Sequence, residues 1–255
     1  MLRATSAHRY DTAVDPDEAT SHGIALRLIG RDRRVLDVGC ATGYMCERLT
    51  ETGCQVVGVD ADQLALEQAR KWCEQVVLSD LDLDGLRNVP ADPRFDAILF
   101  GDVLEHLRDP LPVLRQAIGL LAPAGFVVVS VPNVAHAAVR LALLQGRWNY
   151  SRVGLLDSTH LRFFTRSSLL DLLREAGLGV ETIERTVAPW NATEIQIDQS
   201  LVPPEVVRSL ELDREATTYQ FVAKAVVADA DHALHEAGRF REELEDAVHL
   251  SLIHI

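Results

Sequence analysis

Cysteine is scarce in this 255-residue chain: Cys40, Cys46, Cys54 and Cys73 form no C-x-x-C pair, and no histidine follows at zinc-finger spacing. That excludes a disulfide framework and a structural zinc module, and makes small reduced thiols in a cytoplasmic protein the expectation. No apolar run reaches the roughly 18 residues a membrane-spanning helix needs, and Met1 to Thr12 lacks the apolar segment of a secretory signal. Positive charge is also short. Lys and Arg number 25 against 38 Asp and Glu, a formal net charge of -13. Such a chain repels phosphate backbones, so nucleic acid is not expected as a partner. Lysine occurs only at Lys71 and Lys224, the remaining 23 bases being Arg; with the many Ala and Asp this reflects GC-rich codons. The rest of the composition, 47% hydrophobic and 25% charged, is that of a globular protein and excludes disordered or low-complexity classes.

Strand and helix signals alternate along the chain. Residues 17 to 29 read as an amphipathic helix, and Val35 to Gly39 as a short buried strand ending in glycine. A helix over 44 to 52, a strand over 55 to 60, a helix over 62 to 73 and a strand over 76 to 78 follow. Phe95 to Phe100 and Phe126 to Val131 are two further strands flanking a helix at 110 to 121, which opens on proline. Near-continuous apolar strands alternating with helices predict an α/β protein, a parallel sheet covered on both faces. Later come a helix at 134 to 145, a polar aromatic loop at 146 to 150, and a helix from Thr165, a natural N-cap, to Glu175, stopped by Gly177. Strands are expected at 180 to 187 and 219 to 227, separated by an irregular polar insertion.

The chemistry starts where the first strand ends. Asp37-Val38-Gly39-Cys40-Ala41-Thr42-Gly43 is a glycine-bearing strand-to-helix turn of the kind that lets a ligand approach the backbone. It does not fit the dinucleotide pattern G-x-G-x-x-G, because Ala41 and Tyr44 stand where two glycines would be. The second strand ends in Asp60, and Asp80 follows the third. Three successive strands thus end beside an acid, on the edge where such sheets bind ligands, and an ionised Asp can accept from both hydroxyls of a ribose. Each acid taken alone can also be explained as a turn residue.

The ordered set V-L-D-V-G-C-A-T-G, G-V-D, S-D-L, F-D-A-I-L-F-G-D-V-L-E-H and the Pro123-Ala124-Gly125 turn resembles the class I S-adenosylmethionine (SAM) dependent methyltransferases over residues 30 to 187. The resemblance implies a Rossmann-like, seven-stranded, mostly parallel sheet with an antiparallel last strand. It implies SAM as cofactor. The methionine part would lie on the loop Asp37, Gly39, Cys40, Ala41 and Gly43, the ribose on Asp60 beside Ala61, and adenine on Asp80 and the Leu81 backbone, with Gly101 closing the edge. Ala41 replaces the glycine usual in the family, and its methyl is expected only to crowd the turn.

Asp102-Val103-Leu104-Glu105-His106 invites two readings. Asp102 and Glu105 have the spacing of a capping box at a helix start. On a helix the same spacing brings Asp102, Glu105 and His106 to one face, where they could hold a divalent metal; the segment is similar to the E-V-x-E-H of ubiquinone-biosynthesis O-methyltransferases, in which the trio is associated with Mg2+. Asp157 to Thr165 resembles the T-H-x-x-x-F stretch of small-molecule and sugar O-methyltransferases. Moving a methyl to a hydroxyl needs a base, and His160 is the first candidate, with His136 the second. Anchoring the loop by hydrogen bonds accounts for His160 equally well. Trp148, Asn149, Tyr150 and Arg152 are candidates for a lid or a sugar platform, or form a simple packed loop, and Arg162 is a candidate for pairing with an anionic substrate group or with Asp157.

The expected activity is therefore methyl transfer to a hydroxyl of a small molecule or glycan. A sugar O-methyltransferase of surface polysaccharide synthesis is the first reading, because Thr217 to Ala225 resembles the end of methyltransferase domains fused to glycosyltransferases. The alternatives are a ubiquinone-type phenol or quinone O-methyltransferase, and a non-catalytic SAM-fold module serving a fused glycosyltransferase. A lipid-linked acceptor would give weight to a peripheral membrane contact through the basic amphipathic residues 134 to 148. Residues 1 to 228 are expected to form the methyltransferase domain, and 229 to 249 an acidic helical linker toward a missing partner domain, with seven acids and two arginines between 229 and 255. The string Leu250-Ser251-Leu252-Ile253-His254-Ile255 resembles translated sequencing adapter, so residues 250 to 255 are expected to be non-native. A genomic read across this locus should diverge from the present sequence at about residue 250; a clean read ending at the same stop codon would refute the expectation.

Overall fold

The computed structural model describes residues 19 to 228; the proposed linker at 229 to 249 and the tail at 250 to 255 lie outside the described residues. The strands are β1 (Arg34–Val38), β2 (Gln55–Asp60), β3 (Gln75–Leu78), β4 (Phe95–Gly101), β5 (Leu121–Pro132), β6 (Leu178–Val187) and β7 (Thr218–Val227). They form one seven-stranded sheet in the order β3-β2-β1-β4-β5-β7-β6. β1 to β5 are parallel, and β7 runs antiparallel to both β5 and β6. The fold class expected from the sequence is the one observed.

Strand alternation explains why both faces are covered. Leu36, Val38, Val57, Val59, Ile98, Phe100, Val127 and Val129 point into one core, and Val35, Val56, Ala97, Leu99, Phe126 and Val128 into the other. Period-two placement of apolar residues on both faces leaves no solvated side, so helices must cover each. Helices α1 (Ser21–Ile29), α2 (Tyr44–Glu51) and α3 (Gln63–Ala69) cover the second core with Ile24, Leu26, Ile29, Met45, Leu49 and Leu66. Helices α4 (Pro110–Leu120) and α6 (Arg166–Ala176) cover the first with Val113, Leu114, Leu169 and Leu173. α6 starts and stops as its sequence says: Thr165 and Ser168 close a capping box and Gly177 takes a left-handed conformation. The four thiols are free, with Cys40, Cys46 and Cys54 buried.

Several expectations change: α3 ends at Ala69 rather than at 73, and β5 begins at Leu121 rather than at Phe126. The insertion before β7 is not wholly irregular, since it carries α7 (Pro204–Glu211) between two single 3-10 turns. Helix α5 (Ala137–Leu144) begins three residues later than expected, because Asn133 and His136 use their side chains to fold the entry turn. Its Arg140 pairs with Asp213 and with the Ala135 carbonyl, so that base serves the fold, while Leu143 and Leu144 are 53% and 71% exposed. No helix among the described residues is long and apolar enough to cross a membrane.

Chain order turns back between β1 and β4, so ligand space opens at the carboxyl ends of these neighbouring strands. The turn leaving β1 has left-handed backbone at Gly39 (φ 77), Ala41 (φ 47) and Gly43 (φ 88). A Cβ on Gly39 would stand 2.6 Å from the Val103 side chain, so glycine is required there by space as well as by conformation. Ala41 departs from the family pattern through backbone conformation rather than through crowding of its methyl. A left-handed L-residue costs about 1–2 kcal/mol, offset in part by the greater unfolded-state freedom of glycine. Ala41→Gly should therefore stabilise the protein by about 0.5–1 kcal/mol in urea unfolding; a loss of stability would show that the strain is relieved elsewhere.

Candidate active site

The carboxyl edge is assembled by backbone groups and one carboxylate. The Gly39 and Cys40 N–H groups both donate to the Val59 carbonyl, at 2.7 and 2.9 Å, which pins the turn after β1 to the end of β2. Asp60 completes the junction: one oxygen accepts from Ala41 N at 2.9 Å and the other from Asp62 N at 2.8 Å. Each oxygen keeps a further lone pair, so Asp60 can still accept from a diol. Asp80 is half-buried, accepts from Asp82 N, and organises the 80 to 85 turn in which Ser79 holds the Gly85 carbonyl. Gly39, Ala41, Asp60, Asp80, Leu81 and Gly101 lie half-buried along this edge and Ala61 is exposed. Asp37 and Cys40 differ: both side chains turn down into the protein, where Asp37 accepts from the Cys46 thiol at 3.3 Å. What they present to the edge is backbone.

A second group of side chains stands at the end of β4. The helix expected after Asp102 is a single 3-10 turn, Leu104–His106, with no side-chain cap. Asp102 takes a left-handed conformation (φ 54), and its carboxylate accepts from Ser130 Oγ at 2.7 Å and Gln220 Nε2 at 3.0 Å. The capping box is therefore not formed. Nor do Asp102, Glu105 and His106 converge, because the face-sharing of an α-helix is absent. Instead, ligand atoms of Glu105, His106 and His160 lie within 4.8 Å of one another. Two imidazoles and one carboxylate suit Mg2+ poorly, since that ion prefers an all-oxygen octahedron; the residues do not fit the magnesium that the resemblance implied.

The loop carrying His160 is held to this turn by the Glu105 carbonyl, which accepts from Leu161 N and Arg162 N at 2.8 and 2.9 Å. The His160 ring packs edge-on against His106 and Phe163, with centroids 4.9 and 6.3 Å away. Burial lowers its pKa, assisted by the neighbouring His106, so the neutral, proton-accepting imidazole prevails at neutral pH. His136 is not placed to act as a base. It is fully buried; Nδ1 accepts from Ala138 N as the cap of α5 and Nε2 lies 2.9 Å from the Ala188 carbonyl. Both ring nitrogens are committed. Arg162 donates to the Arg108 carbonyl rather than to Asp157, which accepts from Thr159.

A wall borders the cluster. Trp148 meets Tyr150 and Phe163 edge-to-face, and with Val139, Leu155, Leu156, Ile195 and Tyr219 makes a small separate core. Glu194, from the insertion, ties it shut by accepting from Leu155 N at 2.6 Å and Tyr219 Oη at 2.9 Å. Burial and the adjacent Glu194 charge hold the Tyr219 phenol protonated. Sequence reasoning missed Ser130, Glu194 and Gln220. Ser130 lies opposite Gly101 in the β4–β5 register, which exists only once the sheet has formed.

Residues 14–183 match a sequence family described as a methyltransferase domain. The chain is 36% identical to a ubiquinone biosynthesis O-methyltransferase of Ruegeria pomeroyi over 164 residues, 60% of this chain and 61% of that protein. A protein of the same name from Xanthomonas axonopodis pv. citri is 30% identical over 172 residues, 66% of this chain and 72% of that protein. The chain spans about 60% of the length of the relatives from Ruegeria and Cereibacter. Among solved structures, an S-adenosylmethionine dependent methyltransferase from Mesorhizobium loti aligns with a TM-score of 0.54 at 23% identity, covering 83% of this chain and 99% of that one. A 1,6-didemethyltoxoflavin-N1-methyltransferase from Burkholderia thailandensis, with S-adenosylhomocysteine bound, aligns at 0.55 and 21% identity over 88% and 84% of the two chains. These two likenesses concern the fold.

Asp37 beneath the turn makes a testable electrostatic site. Burial pushes its carboxyl up from 3.8 to about 7, the Cys46 thiol opposing and the Asp60 charge adding to the rise. The folded protein thus holds this proton more tightly than the unfolded chain. Its contribution to stability is full below the unfolded value and is lost as pH rises through the folded one. A shift of this size corresponds to about 4 kcal/mol at most. Urea unfolding at about pH 4.5 and about pH 8 should show a wild-type loss that Asp37→Asn lacks; parallel pH profiles would contradict the assignment.

Proposed function

The chain belongs to the class I SAM-dependent methyltransferases, and from that premise we propose that it moves the methyl group of SAM to a hydroxyl of an aromatic, phenol- or quinol-type acceptor. The observation that carries this reading is the cluster of Glu105, His106 and His160 one turn beyond β4, beside the strand that leads into the SAM turn. The names of the relatives favour the phenol or quinone acceptor over the sugar acceptor that the sequence put first. The aromatic wall of Trp148, Tyr150 and Phe163 supports it, since ring faces and edges suit a flat acceptor.

In this reading the methionine part of SAM lies on the backbone of Gly39 to Gly43, Asp60 accepts from the ribose hydroxyls, and the Asp80–Leu81 segment borders adenine. The acceptor oxygen attacks the methyl carbon in line with the sulfonium. An O–C bond forms, the C–S bond breaks, S-adenosylhomocysteine leaves, and the hydroxyl proton passes into the Glu105–His106–His160 cluster. SAM is already activated, so positioning the two reactants supplies much of the rate, and proton removal adds about 10²–10⁴. Residues 1 to 228 make the methyltransferase unit in this proposal, with the insertion and its Glu194 strap as the acceptor side.

Tritiated-methyl transfer from SAM to a panel of catechols, hydroquinones and sugars tests the reading. Aromatic hydroxyls should be labelled and sugars should not. His160→Ala should lower turnover by about 10²–10⁴ while SAM binding persists. SAM binding without transfer to any phenol would overturn the acceptor assignment, and full activity of the variant would remove His160 from the chemistry.

A further inference from the structure

Glu194 reaches out of the insertion between β6 and β7 and settles on the loop that carries His160. One carboxylate oxygen accepts from Leu155 N at 2.6 Å and the other from Tyr219 Oη on β7 at 2.9 Å. The loop is shaped to receive it. Gly154 has left-handed backbone (φ 94), and a Cβ there would collide with the Glu194 carboxylate. Leu155 is 1% exposed, so its N–H depends on this acceptor rather than on bulk water.

The same peptide segment bears on the imidazole. The Leu155 carbonyl faces the His160 ring and holds its pKa up against the effect of burial. Between the two residues the chain is a series of tight turns. His160 N donates to the Asp157 carbonyl at 3.0 Å, Asp157 N to the Gly154 carbonyl at 3.2 Å, and Ser151 N to the Leu156 carbonyl at 2.9 Å. Thr159 donates to Asp157 Oδ1 through both its N–H and its hydroxyl. A displacement at Leu155 is therefore passed along to His160. The loop has two anchors: Leu161 N and Arg162 N on the Glu105 carbonyl, and Leu155 N on Glu194.

We propose that Glu194 is a positioning residue for His160: by tying Leu155 to Tyr219 it sets the direction in which the imidazole meets the acceptor hydroxyl. Glu194 acts through Leu155 and not on the reacting atoms. The inference rests on the reading of His160 as the base. What the role requires is reach, not charge. Gln at this position keeps a carbonyl for Leu155 N and offers an N–H to the Tyr219 oxygen, whereas Asp keeps the charge but is one methylene short.

Two measurements on the full chain test this. In proton–nitrogen correlation spectra of the imidazole rings, His160 is identified by its absence in His160→Gln. Its signals should shift in Glu194→Ala and Glu194→Asp and stay near their wild-type positions in Glu194→Gln. In single-turnover transfer of tritiated methyl from SAM to catechol, Glu194→Ala should be about 10–100-fold slower, with S-adenosylhomocysteine affinity unchanged. Glu194→Gln should restore most of the rate and Glu194→Asp should not. In a His160→Ala background, Glu194→Ala should cost nothing further. Thermal melts identify any variant that does not fold, for which Tyr219→Phe, which removes one of the two ties, substitutes. Unmoved His160 signals in Glu194→Ala, an equal loss of rate with and without His160, or an Asp variant faster than the Gln variant overturns the proposal. A displaced ring in a protein whose wild type labels no phenol keeps this inference and refutes the acceptor reading. An unmoved ring and full rate in Glu194→Ala, with His160→Ala impaired, does the reverse.

Discussion

A carboxyl group sealed from water carries a large desolvation cost, and at Glu105 burial raises its pKa well above the ordinary range, so that the neutral acid is favoured at the end of the turn after β4. One ligand atom each of Glu105, His106 and His160 lies within 4.8 Å of the other two, although His160 is far from the first two in sequence. The main-chain carbonyl of Glu105 takes two N–H groups from the loop that supplies His160. The loop leads directly into α6 through the Thr165 cap, so the cluster is fixed to a helix packed on the main core.

The carboxyl edge of the sheet depends on a different set of groups. Two N–H groups share the Val59 carbonyl, and Asp60 spends one lone pair per oxygen on the turns it joins. The edge is thus built before any ligand arrives, with donors and acceptors to spare. Left-handed backbone at Gly39, Ala41 and Gly43 forms the turn, and at Gly39 and Gly43 a Cβ would collide with Val103 and Ala69. Asp37, directly beneath, is buried in a manner that favours its neutral form in the free protein. A cationic group lodged near it would favour the charged form, which couples ligand charge to a residue the ligand need not touch.

Much of this was legible in the sequence because it is local. Val35 to Gly39, the acids after β2 and β3, and the Thr165 and Gly177 signals each express their physics within a few residues. The failures have a common cause. Asp102 and Glu105 carry the spacing of a helix cap, but the chain turns left-handed at Asp102 to meet Ser130 and Gln220, partners supplied by other strands. His136 has the chemistry of a base, and only the tertiary structure shows its nitrogens spent on Ala138 and Ala188. α7 is only eight residues long, has no fully buried residue among those described, and opens on Pro203-Pro204 inside a polar insertion, so its amphipathic pattern is easily missed there.

The account rests most heavily on the carboxyl edge being a SAM site with Asp60 at its centre. Calorimetric titration with S-adenosylhomocysteine, of the wild type and of Asp60→Ala, tests this directly. The wild type should bind one molecule per chain, and the variant should bind about 10–100-fold more weakly, the effect of losing hydrogen bonds to a charged acceptor. Equal affinity in the two proteins, or binding of NAD in place of S-adenosylhomocysteine, would contradict it.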